Sequence, residues 1–455
     1  MLTKWLMTPE PYSLQRFVDD REIRGTHRIV LLICALLMSI DAFDVFVVGK
    51  IAPAIAAGFG VAPAAMTTVF LMQQAGLAVG AFVATPLADR FGRQRMMAIC
   101  SAAFGMITLL TPLAETLLQL AVLRGIAGLF MSGLLPMAIA LIAETVPRRR
   151  RGTYISIAFV AYSAGSAAGG LVAVWLLDGY GWQSAFVIGG VLPLLLLPGV
   201  LFWLPESLPY LADAGADPAR IRAGMKRLDP GAMVPPPGVN FVSGDGSRAS
   251  QTGNAAILFD RGHRRTTMLL WAATFLSMGG IALVAAWLPT FFQEMAGIPI
   301  KRFAVYALIG FWGGLAGSLT SGWLLDRVAA TRVAPVYYLG LAASLLLLGL
   351  VPFQATSFVA ILLCLNFFQS GGQAILNTLL SQVYPTHARS TGIGWAGGMG
   401  RIGGVALPPL GGLALSSQWS IGTTMTLIAA IPVGVVIAML VLRVRRNPVG
   451  ERRLA

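Results

Sequence analysis

The chain has 455 residues, of which 56% are hydrophobic and only 11% charged, and it carries a formal net charge of +14. A soluble globular protein has about 25% charged residues, so a soluble enzyme built around one large core is excluded. The class left is an all-α, polytopic membrane protein. Its basic residues cluster between apolar runs, as topogenic charges do, so no nucleic-acid partner is expected.

The first 28 residues hold Asp19, Asp20 and Glu22 and no separate apolar signal core, so they read as an uncleaved cytoplasmic segment. Six apolar runs follow, at 29–55, 66–88, 96–114, 117–146, 152–177 and 183–204. The first is long enough to cross a bilayer yet carries Asp41 and Asp44. At about 1.5 Å per residue these lie roughly 20 and 24 Å from Arg28. A spacing of three residues sends both side chains off nearly the same helix face. A carboxylate at that depth costs roughly 2.5–3.5 kcal/mol, so the face does not look at lipid. Two readings remain open: a structural ion pair between helices, or a proton or ligand site in a transporter, where burial favours the neutral acid.

Residues 205–265 separate this half from the next. They contain PGAMVPPPG (Pro230 to Gly238) and SGDGS (Ser243 to Ser247), which predict an irregular cytoplasmic linker. Six more runs follow at 266–292, 302–325, 333–353, 357–382, 390–415 and 419–443, then a tail at 444–455. Twelve spans are therefore predicted, in halves covering 29–204 and 266–443. The connections alternate between Arg-rich and Arg-poor, which puts both termini on the cytoplasmic side.

The halves repeat in parallel. LADRFGR carries Asp89, and LLDRVAATR carries Asp326, 237 positions later (326 − 89). Glu144, Pro147 and Arg151 correspond to Gln382, Pro385 and Arg389, each 238 positions on (389 − 151 for the last). Two separate landmarks agree to one residue, which marks an internal repeat. Features shared by both halves are expected to serve the fold or a gate: Asp89, Arg90 and Arg151 in the first, Asp326, Arg327 and Arg389 in the second, with Gly92, Arg93 and Glu144 joining the first-half network although the second half has Ala329, Ala330 and Gln382 there. Features present once are better candidates for proton and substrate. Asp41, Asp44, Arg124 and Arg401 have no charged counterpart. Arg401 sits among glycines, where its guanidinium could fork onto a carboxylate of the substrate or of Asp41 or Asp44. The alternative for both arginines is structural, Arg124 by snorkelling from the outer end of its run.

The tenth run carries Asn366, Gln369, Gln373 and Asn377. At 100° per residue they fall at about 0°, 300°, 340° and 20°, one polar stripe suited to carboxylate or hydroxyl recognition, or to gluing helices. Trp271, Trp287, Trp312 and Trp395 are aromatic candidates beside a ring, though packing and interfacial roles compete. Cys34, Cys100 and Cys364 lie inside apolar runs, and His27, His263 and His387 flank them. Neither set has ligand spacing, so no metal, cofactor or disulfide framework is expected, nor an enzyme's nucleophile–base pair.

With PLADRFGRQR in the loop between the second and third runs and RGIAGLFMSGLLP from Arg124 to Pro136, the chain resembles the major facilitator superfamily. More narrowly it resembles the aromatic acid:proton symporters. That likeness rests on DAFD at Asp41 to Asp44, LPES at Leu204 to Ser207, WLPT at Trp287 to Thr290, and YPTHARSTGIGWAGGMGRIGG at Tyr384 to Gly404. The resemblance implies that Asp41 and Asp44 serve proton-coupled uptake and that Asp89, Arg90, Gly92 and Arg93 form the conserved loop motif. The chain departs at Ala42 and Thr85, where that family usually has glycine. The implied protein is a bacterial inner-membrane importer of small aromatic carboxylates, such as hydroxybenzoate-like or lignin-derived acids. It works by alternating access as a monomer in lipid, with Arg401, Arg124, Asn366, Gln369, Gln373, Asn377 and Trp395 toward the substrate. An exporter, or a sensor on the same scaffold, is the alternative.

Overall fold

Apolar runs of this length fold as helices because a helix satisfies its own backbone N–H and C=O groups where no water can. In the computed structural model, which describes residues 12–229, 231–236, 239–243, 264–351, 356–383 and 389–442, nearly every described residue is helical. The first helices are α1 (Leu14–Asp19), α2 (Gly25–Gly58), α3 (Met66–Phe91), α4 (Arg93–Leu110), α5 (Leu117–Met131), α6 (Leu134–Thr145), α7 (Arg148–Trp175), α8 (Leu177–Tyr180) and α9 (Gln183–Phe202). After α10 (Leu208–Asp213) and α11 (Pro218–Leu228) come α12 (Arg264–Ala296), α13 (Ile300–Leu325), α14 (Ala330–Leu350), α15 (Thr356–Val383), α16 (Arg389–Ala406), α17 (Pro409–Ser416) and α18 (Ile421–Val441).

Among the described residues, eleven stretches are long and apolar enough to cross a membrane. The twelfth expected run, 390–415, is divided into α16 and α17. Pro408 and Pro409 have no N–H for the carbonyls one turn back, which ends α16. Its glycines and arginines also make it less apolar than the others. The fourth run is interrupted between α5 and α6 for a related reason: Pro136 cannot donate to the Ser132 carbonyl.

The chain forms two compact units, one of Met1–Val48 with Met72–Ala249, the other of Gly49–Leu71 with Ser250–Ala455. In the first, Phe104, Met97 and Cys100 of α4 pack with Ile33 and Leu37 of α2, Met131 of α5 and Leu141 of α6. In the second, α13 packs on α15, α14 on α18 and α12 on α16.

The expectation of an irregular linker is corrected for its first part. Tyr12–Ser13 (β1) pairs in parallel with Phe241–Val242 (β2). Leu14, Phe17 and Val18 of α1 share a small core with Leu208 and Leu211 of α10 and with Ile221, Met225 and Leu228 of α11. The last three recur at helical spacing, which puts one apolar stripe on a short basic helix. Buried Asp229 then draws Arg24 to 2.6 Å and Arg21 to 3.3 Å. The chain breakers that suggested disorder lie beyond α11, and Pro230, Pro237, Gly238 and residues 244–263 fall outside the described residues.

Candidate functional site

Asp41 and Asp44 are both buried on α2, at 5% and 0% exposure. Arg124 on α5 is also 0% exposed, so it does not snorkel from the end of its run. It is an inward-facing partner of Asp44. One terminal nitrogen pairs with Asp44 Oδ2, and the other lies 3.3 Å from Oδ1 and 3.5 Å from Thr108 Oγ1. The guanidinium carbon sits 5.3 Å from the centre of the Phe186 ring on α9, and a planar fork suits that combination better than an ammonium. Gly189, also on α9, leaves room for the carboxylate, since a Cβ there would stand 3.0 Å from Asp44 Oδ1. Arg124 thus takes Asp44 rather than Asp41, which separates two aspartates that the sequence treats alike.

A second charged cluster gathers where α4 begins. Glu206 Oε1 accepts from the backbone N–H groups of Arg93 at 2.9 Å and Gln94 at 3.2 Å. A carboxylate at a helix N-terminus caps its free N–H groups and matches its dipole. The Arg93 side chain pairs with Glu144 at the end of α6, and the Ser207 hydroxyl also donates to Glu144. Gly92 makes the turn possible: its φ is +98°, and a Cβ would run into the Glu206 carboxylate. The Tyr210 hydroxyl donates to the Arg90 carbonyl at 3.1 Å, while the Arg90 side chain lies over Phe91. Sequence reasoning placed Arg93 and Glu144 together but used Glu206 and Ser207 only as marks of resemblance. An acid preceding a serine cap just after an apolar run was the signal available. Arg151 is partly buried and its Nε and one terminal nitrogen make no hydrogen bond among the described residues. The side chains of Asp89 and Arg389 lie outside the described ones.

The corresponding loop of the second unit is simpler. Asp326 and Arg327 are exposed, and Arg327 folds back on Trp323, 3.9 Å from its ring centre.

The polar stripe of α15 divides. The Asn366 amide donates to the Leu362 carbonyl at 2.9 Å and packs beside Gly310 of α13. That is a helix-packing position. Gln373 Oε1 instead accepts from Ser277 of α12 at 2.8 Å, and its amide donates to Asn377 Oδ1 at 3.1 Å. Gln369 lines a cavity with Ser277, Tyr338, Leu345 and Ile428, with about 20 Å³ for water-sized occupants. That is room for one water and too little for an aromatic ring.

The tryptophans sort by environment. Trp287 is wholly buried and donates to the Pro408 carbonyl at the break between α16 and α17, 2.7 Å away. Trp312 is 66% exposed. Trp271 and Trp395 stack with ring centres 5.7 Å apart, and Trp395 is 49% exposed. Arg401, on the same helix as Trp395, is partly buried.

Known proteins resemble this chain in sequence and in fold. The family model described as Major Facilitator Superfamily matches residues 34–406 and again 270–455. A gallate transporter of Pseudomonas putida is 33% identical, over 89% of each chain. The 4-hydroxybenzoate transporter PcaK of Acinetobacter baylyi is 29% identical over 91% of this chain and 92% of its own. The inward open structure of the xylose transporter XylE from E. coli superposes with a TM-score of 0.71, at 15% identity, over 93% of this chain and 98% of that one, a likeness of fold. The chain belongs to the major facilitator superfamily, and within it to the same family as these two aromatic acid transporters. It is accordingly a multi-pass membrane protein.

Proposed function

We propose that the chain is a proton-coupled importer of small aromatic carboxylates in the bacterial inner membrane, with both termini cytoplasmic and the single chain as the working unit. The substrate class is carried by its relatives, which include transporters of gallate and 4-hydroxybenzoate. The observation that supports proton coupling is Asp41 itself, a carboxylate only 5% exposed in the first membrane-spanning helix, on the face it shares with Asp44. Asp44 has its charge matched by Arg124 and holds α2 against α5. Asp41 is the carboxylate that takes up and releases the proton. Protonating it neutralises one buried charge as an anion enters, which lowers the cost of reorienting a loaded site across the membrane. Transport by alternating access then needs only two states of similar free energy. Arg401, Gln373, Asn377 and Trp395 are the proposed contacts for the anion and its ring. The Gly92, Arg93, Glu144 cluster, with Arg90, Arg151, Asp89, Asp326, Arg327 and Arg389, is the proposed gate.

The test is accumulation of radiolabelled 4-hydroxybenzoate and benzoate in cells, with and without a protonophore. Accumulation that collapses with protonophore supports the symporter. Lower cell content with the protein than without it would make it an exporter. Binding without flux in either direction would make it a sensor.

A further inference from the structure

A hydrogen-bond chain in the second unit has a direction, and the direction restricts what it can recognise. Ser277 of α12 lies 2.7 Å from the Tyr338 hydroxyl of α14 and 2.8 Å from Gln373 Oε1 of α15. A serine hydroxyl has one proton. Since it is given to the Gln373 carbonyl oxygen, Ser277 must accept from Tyr338. The Gln373 carbonyl is thereby occupied, its amide nitrogen points to Asn377, and the Asn377 carbonyl accepts that bond at 3.1 Å. Each oxygen of Ser277, Gln373 and Asn377 accepts one bond from within the chain. Tyr338 and Ser277 are buried, whereas Asn377 is exposed. The open end carries the Asn377 N–H groups, which donate to nothing among the described residues, beside an Asn377 oxygen that already accepts one bond.

We infer that Tyr338 and Ser277 are positioning residues that hold Gln373 and Asn377 donor-outward, so that the pair binds the carboxylate of the aromatic acid. This rests on the transport reading above and adds two residues that the sequence did not mark. Without the buried serine and tyrosine, each amide is free to rotate by half a turn and present its oxygen, which repels an anion. The chain also accounts for placing a tyrosine and a serine on two different helices opposite Gln373, where helix gluing alone would need one partner.

The test is the kinetics of benzoate and 4-hydroxybenzoate uptake, with membrane abundance measured for each variant. Tyr338→Phe and Ser277→Ala are each expected to raise KM for both acids by about tenfold, the worth of a hydrogen bond to a charged group, with maximal rate largely kept. Ser277→Thr retains the hydroxyl and should stay near wild type. Asn377→Asp replaces donors by an anion at an exposed position and should abolish uptake of both acids even if the buried variants fail to fold. Unchanged KM in the buried variants, normal uptake by Asn377→Asp, or a loss confined to 4-hydroxybenzoate would overturn the inference, the last because the chain would then read the ring hydroxyl. A wild type that takes up neither acid would fail the transport reading instead.

Discussion

At the scale of residues, the burial of Arg124 and Asp44 makes the sharpest claim. Removing one member of a buried ion pair strands the other and costs about 3–5 kcal/mol, whereas removing both together can cost far less. Asp44→Asn is therefore expected to lower the thermal stability of the purified protein in detergent, and Asp44→Asn with Arg124→Gln to recover most of it. Asp41→Asn should eliminate accumulation against a gradient, and adding Arg124→Gln should not bring it back. Accumulation restored by pairing Asp41→Asn with Arg124→Gln would contradict the division of labour. Gly92→Ala tests the loop in the same assay. It places a side chain at φ +98° and against Glu206, a strained position worth about 1–3 kcal/mol, so its melting temperature should fall unless the α4 cap opens. Sequence showed that Asp41 and Asp44 share a helix face, because a spacing of three residues fixes that. It could not show which one meets Arg124, because that depends on where α4, α5 and α9 carry Thr108, Arg124, Phe186 and Gly189.

At the scale of elements, hydropathy located the spans well and their interruptions poorly. Length and apolarity are properties of a single run, so the long helices from α2 to α18 were legible. The divisions at Gly133 and Pro408 arise from prolines whose effect depends on what replaces the lost backbone bond. Around Pro408 the packing includes Trp287, 121 residues away, whose indole N–H donates to the proline's own carbonyl. The amide stripe of α15 was legible as a stripe but not in its roles. Asn366 turns to α13 and Gln373 to α12, and only the packing of neighbours decides that. The folded segment around α10 and α11 was missed because proline and glycine just beyond it dominated the reading. Its Asp229 anchors Arg21 and Arg24 from before α2. Asp229→Ala should accelerate protease cleavage near residues 12–24, read by mass spectrometry of intact membranes, with KM for substrate unchanged. Cleavage at the wild-type rate would show that the small core alone holds this segment.

At the scale of the whole molecule, the central claim of the proposal is that anion and proton cross together. The most direct measurement is proton movement in proteoliposomes of the purified protein loaded with a pH-sensitive dye, after external addition of 4-hydroxybenzoate at a held membrane potential. The account expects the lumen to acidify on addition of substrate with the wild type, and expects no substrate-dependent signal with Asp41→Asn. Labelled substrate entering without acidification, or acidification that survives Asp41→Asn unchanged, would contradict it.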